Sequence, residues 1–166
     1  MANNVRYEFE LYEPMRLWLQ QYLEDKYGRS NVITIDSHAR TLDLYLEENG
    51  VIDQYPQTIG LDIQIDVLGI VKNNRKAKIF FIEAKKTQLN LHDLGQLWAY
   101  CKLCDPEEAF LLSSNGIGSL SKILNNLNRV DLLDFGDGKK IKKMQVGKWD
   151  IGKASIDYHS LVPKLY

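Results

Sequence analysis

Leu61-Asp-Ile-Gln-Ile-Asp-Val-Leu-Gly-Ile-Val71, then Asn73-Asn-Arg-Lys76, then Lys78-Ile-Phe-Phe-Ile-Glu-Ala-Lys85 is the stretch that decides the fold. Its outer segments are strand-like, rich in β-branched and aromatic residues. The Asn-Asn-Arg-Lys run between them is turn chemistry, so the two read as a hairpin. A turn centred between Asn74 and Arg75 sets Asp66 directly opposite Glu83 and Gln64 opposite Lys85. Facing side chains on an antiparallel pair have Cβ atoms about 4.5–5.5 Å apart, where like charges repel. A bound cation removes that repulsion, which points to a hard, oxygen-ligated divalent metal such as Mg²⁺.

Alternation tests the register, because a one-residue slip would send the two acids to opposite faces. Glu83 and Lys85 share a face with Ile79 and Phe81, while Phe80, Ile82 and Ala84 line the other. Asp66 shares a face with Asp62 and Gln64, against Ile63, Ile65 and Val67. A hairpin with one solvated face is the ordinary explanation of strand carboxylates. Here the acids converge beside Val67–Val71 and Ile79–Ile82, apolar runs that read as central strands. A charged cluster in a central sheet marks a candidate site.

Ile65-Asp66 followed by Glu83-Ala84-Lys85 resembles the signature of the PD-(D/E)XK nuclease superfamily, the restriction-endonuclease-like fold. The family's proline is replaced by Ile65, which leaves the carboxylate in place. D…ExK alone is a weak motif, and the next element strengthens it. Leu91 to Cys104 reads as a helix with Leu94, Leu97, Trp98 and Cys101 at core spacing. Gln96 and Tyr100, four apart, share a different face. This Gln-x-x-x-Tyr pair is similar to the motif of RecB-like and lambda-exonuclease-like branches; a half-buried polar face is its plainer explanation.

The order of elements extends the resemblance. Glu13 to about Tyr27 reads as an amphipathic helix, with Leu11, Met15, Trp18, Leu19 and Tyr22 as its apolar stripe. Pro14 suits its first turn and Gly28 its end. Asn31–Asp36 reads as a strand, and Thr41–Leu46 alternates like another. Ala109–Ser113 reads as a buried strand and Gly118 to about Leu127 as a helix. The expected fold class is α/β, with helices on both sides of one mixed sheet. The resemblance implies an αβββαβ core in a single domain over residues 1–166. That core covers about 8–128, and 129–166 form a C-terminal hairpin, turning at Gly136-Asp137-Gly138, and a tail.

The resemblance also implies an activity: Mg²⁺-dependent hydrolysis of DNA phosphodiester bonds, with Mn²⁺ able to substitute. Asp66, Glu83 and the Ala84 carbonyl would hold the metal. Lys85 would orient or deprotonate the attacking water and stabilise developing charge. Gln96 and Tyr100 would bond water, metal ligands or the DNA backbone. Superfamily members often carry a first-helix glutamate near the metal, and Glu13 resembles that position. A first-turn glutamate also simply favours the helix dipole, and Glu8 and Glu10 compete for the role. A single site cuts one strand, so double-strand cleavage implies a homodimer or sequential nicking. Two other classes stay open: a non-catalytic DNA-binding module or subunit of a larger restriction or repair system, and an enzyme of a different metal-assisted reaction or a plain metal-binding protein.

Composition sets the outer limits. The chain has 166 residues and a net charge of −1, so it is not a globally basic nucleic-acid binder. Its cations cluster, however: Lys72, Arg75, Lys76 and Lys78 at the hairpin turn, and Lys139, Lys140, Lys142, Lys143 and Lys148 further on. Lys72, Arg75, Lys76, Lys139 and Lys140 are candidate phosphate contacts; a solvated edge explains them equally. Cys101 and Cys104 form a lone C-x-x-C without two further zinc ligands, so packing is the better explanation. His38, His92 and His159 show no metal spacing. No apolar run is long enough to span a membrane and the N-terminus has no signal-peptide core, so a cytoplasmic setting is expected.

Overall fold

The computed structural model describes residues 4–136 and 140–164. Among the described residues three α-helices (α1, Tyr12–Tyr27; α2, Leu42–Glu48; α3, Leu91–Cys104) accompany eight strands. The strands are β1 (Val32–Asp36), β2 (Val67–Asn73), β3 (Lys76–Lys85), β4 (Glu108–Ser113), β5 (Asp134–Phe135), β6 (Lys142–Lys143), β7 (Gln145–Asp150) and β8 (Ser155–Val162). Six of them make one mixed sheet in the order β1-β2-β3-β4-β7-β8. β1, β2 and β3 form an antiparallel meander; β3, β4 and β7 run parallel; β8 returns antiparallel. The protein is thus α/β, with a mixed six-stranded central sheet.

The hairpin register matches the sequence expectation. Val67 faces Ile82 and Asn73 faces Lys76, so the same register carried one step further sets Asp66 opposite Glu83. The first strand is shorter than expected, because residues 61–66 leave the ladder. Their carbonyls serve the β1–α2 connection instead: Leu42 N–H donates to the Ile63 carbonyl at 2.8 Å and Ser37 N–H to that of Asp66 at 3.0 Å.

Both faces of the sheet are buried. On one, α1 packs Met15, Leu19 and Leu23 against Val67, Phe80 and Ile82. On the other, α3 sets Leu94, Leu97 and Cys101 near Leu68, Ile79 and Phe81, with Leu42 and Leu46 of α2. Trp98 stands one position off the buried stripe of α3; it is 39 % exposed and its indole donates to the Asp134 carbonyl at 3.1 Å. Cys101 and Cys104 are both fully buried packing residues. In α1 the i, i+4 spacing of Leu11, Met15, Leu19 and Leu23 gives the buried face, and Trp18 and Tyr22 sit at its edge against Phe110. The helix stops at Gly28, whose φ of 89° suits glycine.

Three expectations are corrected. Thr41–Leu46 is not a strand: Leu42, Tyr45 and Leu46 are buried at helical spacing and Leu44 is exposed, so the segment folds as α2. The helix expected at 118–127 is shorter and wider, with π-type hydrogen bonding over Lys122–Asn126. Residues 129–166 are not an appendage, because β7 and β8 complete the main sheet and bury Val146, Trp149 and Leu161. The expected hairpin there appears as the pair β5–β6; Asp137 and Gly138 at its turn lie outside the described residues. Among the described residues no helix is long and apolar enough to cross a membrane.

Gly69 shows how tightly α1 is seated. A Cβ there would lie 2.8 Å from Leu23 Cδ1, 3.1 Å from Leu19 Cδ2 and 3.2 Å from Phe80 Cβ. Gly69→Val is therefore expected to destabilise the protein by about 1–3 kcal/mol through overpacking. Urea unfolding checks this; a midpoint at or above wild type would contradict the close packing of α1 on β2.

Candidate functional site

Parallel strands β3, β4 and β7 point their C-terminal ends the same way, and the antiparallel β2 begins at that end. Open α/β sheets place ligand sites outside the carboxyl ends of their strands. Here that end carries a cleft of about 370 Å³ lined by Tyr12, His38, Asp62, Gln64, Asp66, Glu83, Gln96 and Tyr100. A larger hollow of about 560 Å³ lies at the β2–β3 turn, lined by Tyr27, Arg75, Lys76 and Lys78 among others. It brings no carboxylates together, so its size alone does not make it the site.

Glu83 follows Ile79 and Phe81 on the α3 face of β3, and that burial continues to it: it is 5 % exposed. Burial, then repulsion from Asp66, push its carboxyl well above the ordinary range. Its Oε2 is buried and has no hydrogen-bond partner among the described residues. Asp66 is better supported. Ala84 N–H donates to its Oδ2 at 2.8 Å, the Lys85 charge favours its ionised form, and Tyr12 at the start of α1 lines the same cleft. Burial still outweighs these contacts and raises its pKa. Lys85 Nζ lies 3.7 Å from Glu83 Oε1. Burial pulls the Lys85 pKa down, but Glu83, Glu8 and Asp66 outweigh it and the net shift is upward, so the amine is an ammonium.

Across the cleft, Gln96 Nε2 donates to the Tyr100 hydroxyl at 3.3 Å. Asp66, Glu83, Lys85, Gln96 and Tyr100 therefore gather at one end of the sheet. Glu13 does not join them: it forms a paired contact with Arg16, at 2.6 and 2.8 Å, facing solvent. Glu10 Oε2 accepts the Tyr7 N–H at 2.6 Å. Glu8 is the acid of this segment that turns to the site. Its Oε2 accepts the Lys86 N–H at 3.4 Å, and its charge bears on Asp66, Glu83 and Lys85. The motif position pointed to Glu13 because spacing along a helix does not show which acid an arginine one turn on will capture.

The candidate phosphate contacts are elsewhere. Lys72, Arg75 and Lys76 belong to the β2–β3 turn, roughly 25 Å along the strands from the carboxylates at ~3.4 Å per residue. Lys140 also sits away from the cleft, 3.3 Å from Glu107, which lies just before β4. Lys139 lies outside the described residues. Tyr12 and His38 were missed. Tyr12 continues the buried α1 face and is 7 % exposed; a buried tyrosine needs a partner for its hydroxyl, and that was the available signal. His38 Nδ1 lies 2.6 Å from Asp36 Oδ1, and its ring packs on Tyr12 at 4.7 Å.

Among the described residues no group of three or more His, Cys, Asp and Glu is arranged to hold a metal ion. Mg²⁺ asks for less, since it keeps several waters and takes one or two carboxylates. The donor set fits that demand. Glu83 offers an oxygen with no partner among the described residues, and Asp66 faces it. Ser114 N–H donates to the Lys85 carbonyl at 3.0 Å, so Lys85 turns its backbone groups to β4. Alternation then turns the Ala84 N–H and C=O toward Asp66, where the N–H is already bonded.

A raised carboxyl pKa has a stability consequence. Glu83 supports the metal-free fold while protonated, and that support is lost as pH rises through its folded value, above the ordinary carboxylate range. An amide there carries no charge and can donate to Asp66. Glu83→Gln is expected to stabilise the metal-free protein by about 1–3 kcal/mol, a few degrees in Tm, with a larger gain at pH 8 than at pH 5. Thermal melts in EDTA check this; equal or lower stability at pH 8 would show that Glu83 is already compensated.

Comparison with protein-family models, with curated proteins and with solved structures finds no match to this chain.

Proposed function

We propose that the cleft is the active site of a divalent-metal-dependent nuclease that hydrolyses DNA phosphodiester bonds, built on a restriction-endonuclease-like core. The observation that carries this proposal is the buried Glu83, one oxygen of which has no partner among the described residues, held opposite Asp66 and beside Lys85. A carboxylate pair in that state is costly unless charge is supplied to it. The order of elements adds support. With α2 taken as an insertion, α1-β1-β2-β3-α3-β4 has the αβββαβ order and the parallel β3–β4 pair of such a core.

A bound Mg²⁺ would neutralise charge on the scissile phosphate and acidify a water. Asp66, anchored through Oδ2, and the open Glu83 would hold it, with the Ala84 carbonyl alongside. Lys85 Nζ begins as an ammonium and stabilises negative charge developing on the phosphate. A cation held by Asp66 and Glu83 would offset two of the charges that hold its pKa up, Glu8 remaining, and so make the amine better able to take a proton from water. Gln96 and Tyr100 line the opposite wall and orient water or a phosphate oxygen by hydrogen bonds. Glu8 takes the supporting role first expected of Glu13.

A supercoiled-plasmid assay in Mg²⁺, Mn²⁺ or EDTA tests the proposal. Wild type is expected to nick or linearise DNA only with metal. Asp66→Ala, Glu83→Ala and Lys85→Ala should each lose about 10²-fold or more. Glu8→Gln should be impaired and Glu13→Gln should not. Full cleavage by any of the three alanine variants, or cleavage in EDTA, would sink it.

A further inference from the structure

The chain before α1 crosses the end of β3 as a strap. Asn4 Nδ2 donates to the Lys86 carbonyl at 2.9 Å, and the Ser114 hydroxyl, just past β4, donates to Asn4 Oδ1 at 2.6 Å. Lys86 Nζ donates to the Arg6 carbonyl at 3.0 Å, and the Lys86 N–H donates to Glu8 Oε2 at 3.4 Å. The strap is thus tied one residue beyond Lys85. A 3₁₀ turn over Glu8–Leu11 sets which side chains face in. Val5, Glu8 and Leu11, three apart, are the more buried positions, and Arg6, Tyr7 and Phe9 stay exposed. Tyr7 and Phe9 are 48 % and 60 % exposed. Their rings lie nearly parallel, with centroids 5.5 Å apart and 9° between the planes, and the Arg6 guanidinium stands 5.1 Å over Tyr7. Two aromatic rings and an arginine therefore form one exposed stack, tied to the strand end that carries Lys85.

We propose that Arg6, Tyr7 and Phe9 form a platform on which an unpaired nucleobase of the cleaved strand stacks. This rests on the nuclease reading above and names its substrate class: DNA that is single-stranded or frayed beside the scissile phosphate. Inside a duplex both faces of a base are covered by its neighbours, and uncovering one costs least where the strand is already single. Stacking on an aromatic ring tolerates any sequence, because every base has a π-face, and arginine adds a cation–π contribution. The cations of the region suit a phosphodiester chain: Arg6 lies on the platform, with Lys86 bonded to its carbonyl and Lys85 next in the strand. Of the neighbouring acids, Glu10 accepts the Tyr7 N–H at 2.6 Å and Glu8 accepts that of Lys86.

The test is binding by fluorescence anisotropy at low salt in EDTA, so that no strand is cut. The probe is a labelled DNA hairpin, either blunt or carrying a short thymidine tail at its 5′ or 3′ end. Wild type is expected to favour a tailed form over the blunt one by about 10-fold or more. The double variant Tyr7→Leu, Phe9→Leu keeps apolar bulk and removes the ring faces. It should lose about 10–100-fold on the tailed form, change little on the blunt form, and melt like wild type. Tyr7→Phe should bind like wild type. An abasic nucleotide placed at successive tail positions reads the same contact with the protein unaltered: one position should cost wild type about 10-fold. Equal wild-type affinity for tailed and blunt DNA would overturn the platform, as would a tail in which no abasic position costs affinity. So would a double variant within about 3-fold of wild type on the tailed form. Each of these results leaves metal-dependent plasmid cleavage, and with it the nuclease reading, standing. Wild type that binds none of the DNAs would overturn the platform and that reading together.

Discussion

Two carboxylates of like charge, facing each other in a cleft that buries one and half-buries the other, are the constraint on which the rest depends. β3 is central in the sheet and buried on both faces, so a glutamate placed in line with Ile79 and Phe81 is left only 5 % exposed, where it lines the cleft. The opposite strand begins one residue beyond its own acid, and the register leaves no freedom to separate the two. The folded chain relieves part of the cost through the Ala84 amide and Lys85. It leaves one Glu83 oxygen without a partner among the described residues. A sequence under selection for stability alone would place an apolar residue or an amide there. Keeping the acid is understandable if the charge is used.

Much of the fold was legible because its strongest signals are local. The Asn-Asn-Arg-Lys turn fixed the hairpin register, and α3 followed from its apolar spacing; in the fold the Asn90 side chain caps that helix by accepting the Asp93 N–H at 3.0 Å. The errors fall where two periodicities compete. Leu42, Leu44 and Leu46 alternate like a strand, yet Leu42, Tyr45 and Leu46 also fit a helix, and a seven-residue segment is too short for either pattern to win without its tertiary setting. The C-terminal strands were undervalued for a related reason. β7 joins the sheet only by lying parallel to β4, across a long sequence separation that no local pattern announces.

The candidate site was legible along the chain but not across it. Asp66, Glu83 and Lys85 could be paired because one hairpin carries them, and Gln96 and Tyr100 because they share a helix face. Contributions from the N-terminal segment were not recoverable in the same way. Glu8, Glu10 and Glu13 have the same chemistry, and what separates them is Lys86, Tyr7 and Arg16, partners that only the folded chain supplies. The cationic turn was misplaced because charge density carries no direction: Arg75 and Lys76 occupy the end of the hairpin remote from the acids. Any nucleic acid in the cleft would meet Lys85 and the polar groups of α3, not that turn.

The central claim is that the Asp66–Glu83 pair is a cation site. Diffraction from crystals grown with Mn²⁺, measured at the manganese absorption edge, tests it most directly. The account predicts one anomalous peak between the two carboxylates, within about 2.0–2.3 Å of an oxygen from each, with Glu83 Oε2 turned onto it. No peak at that position at saturating Mn²⁺, with the two acids instead sharing a proton, would contradict it.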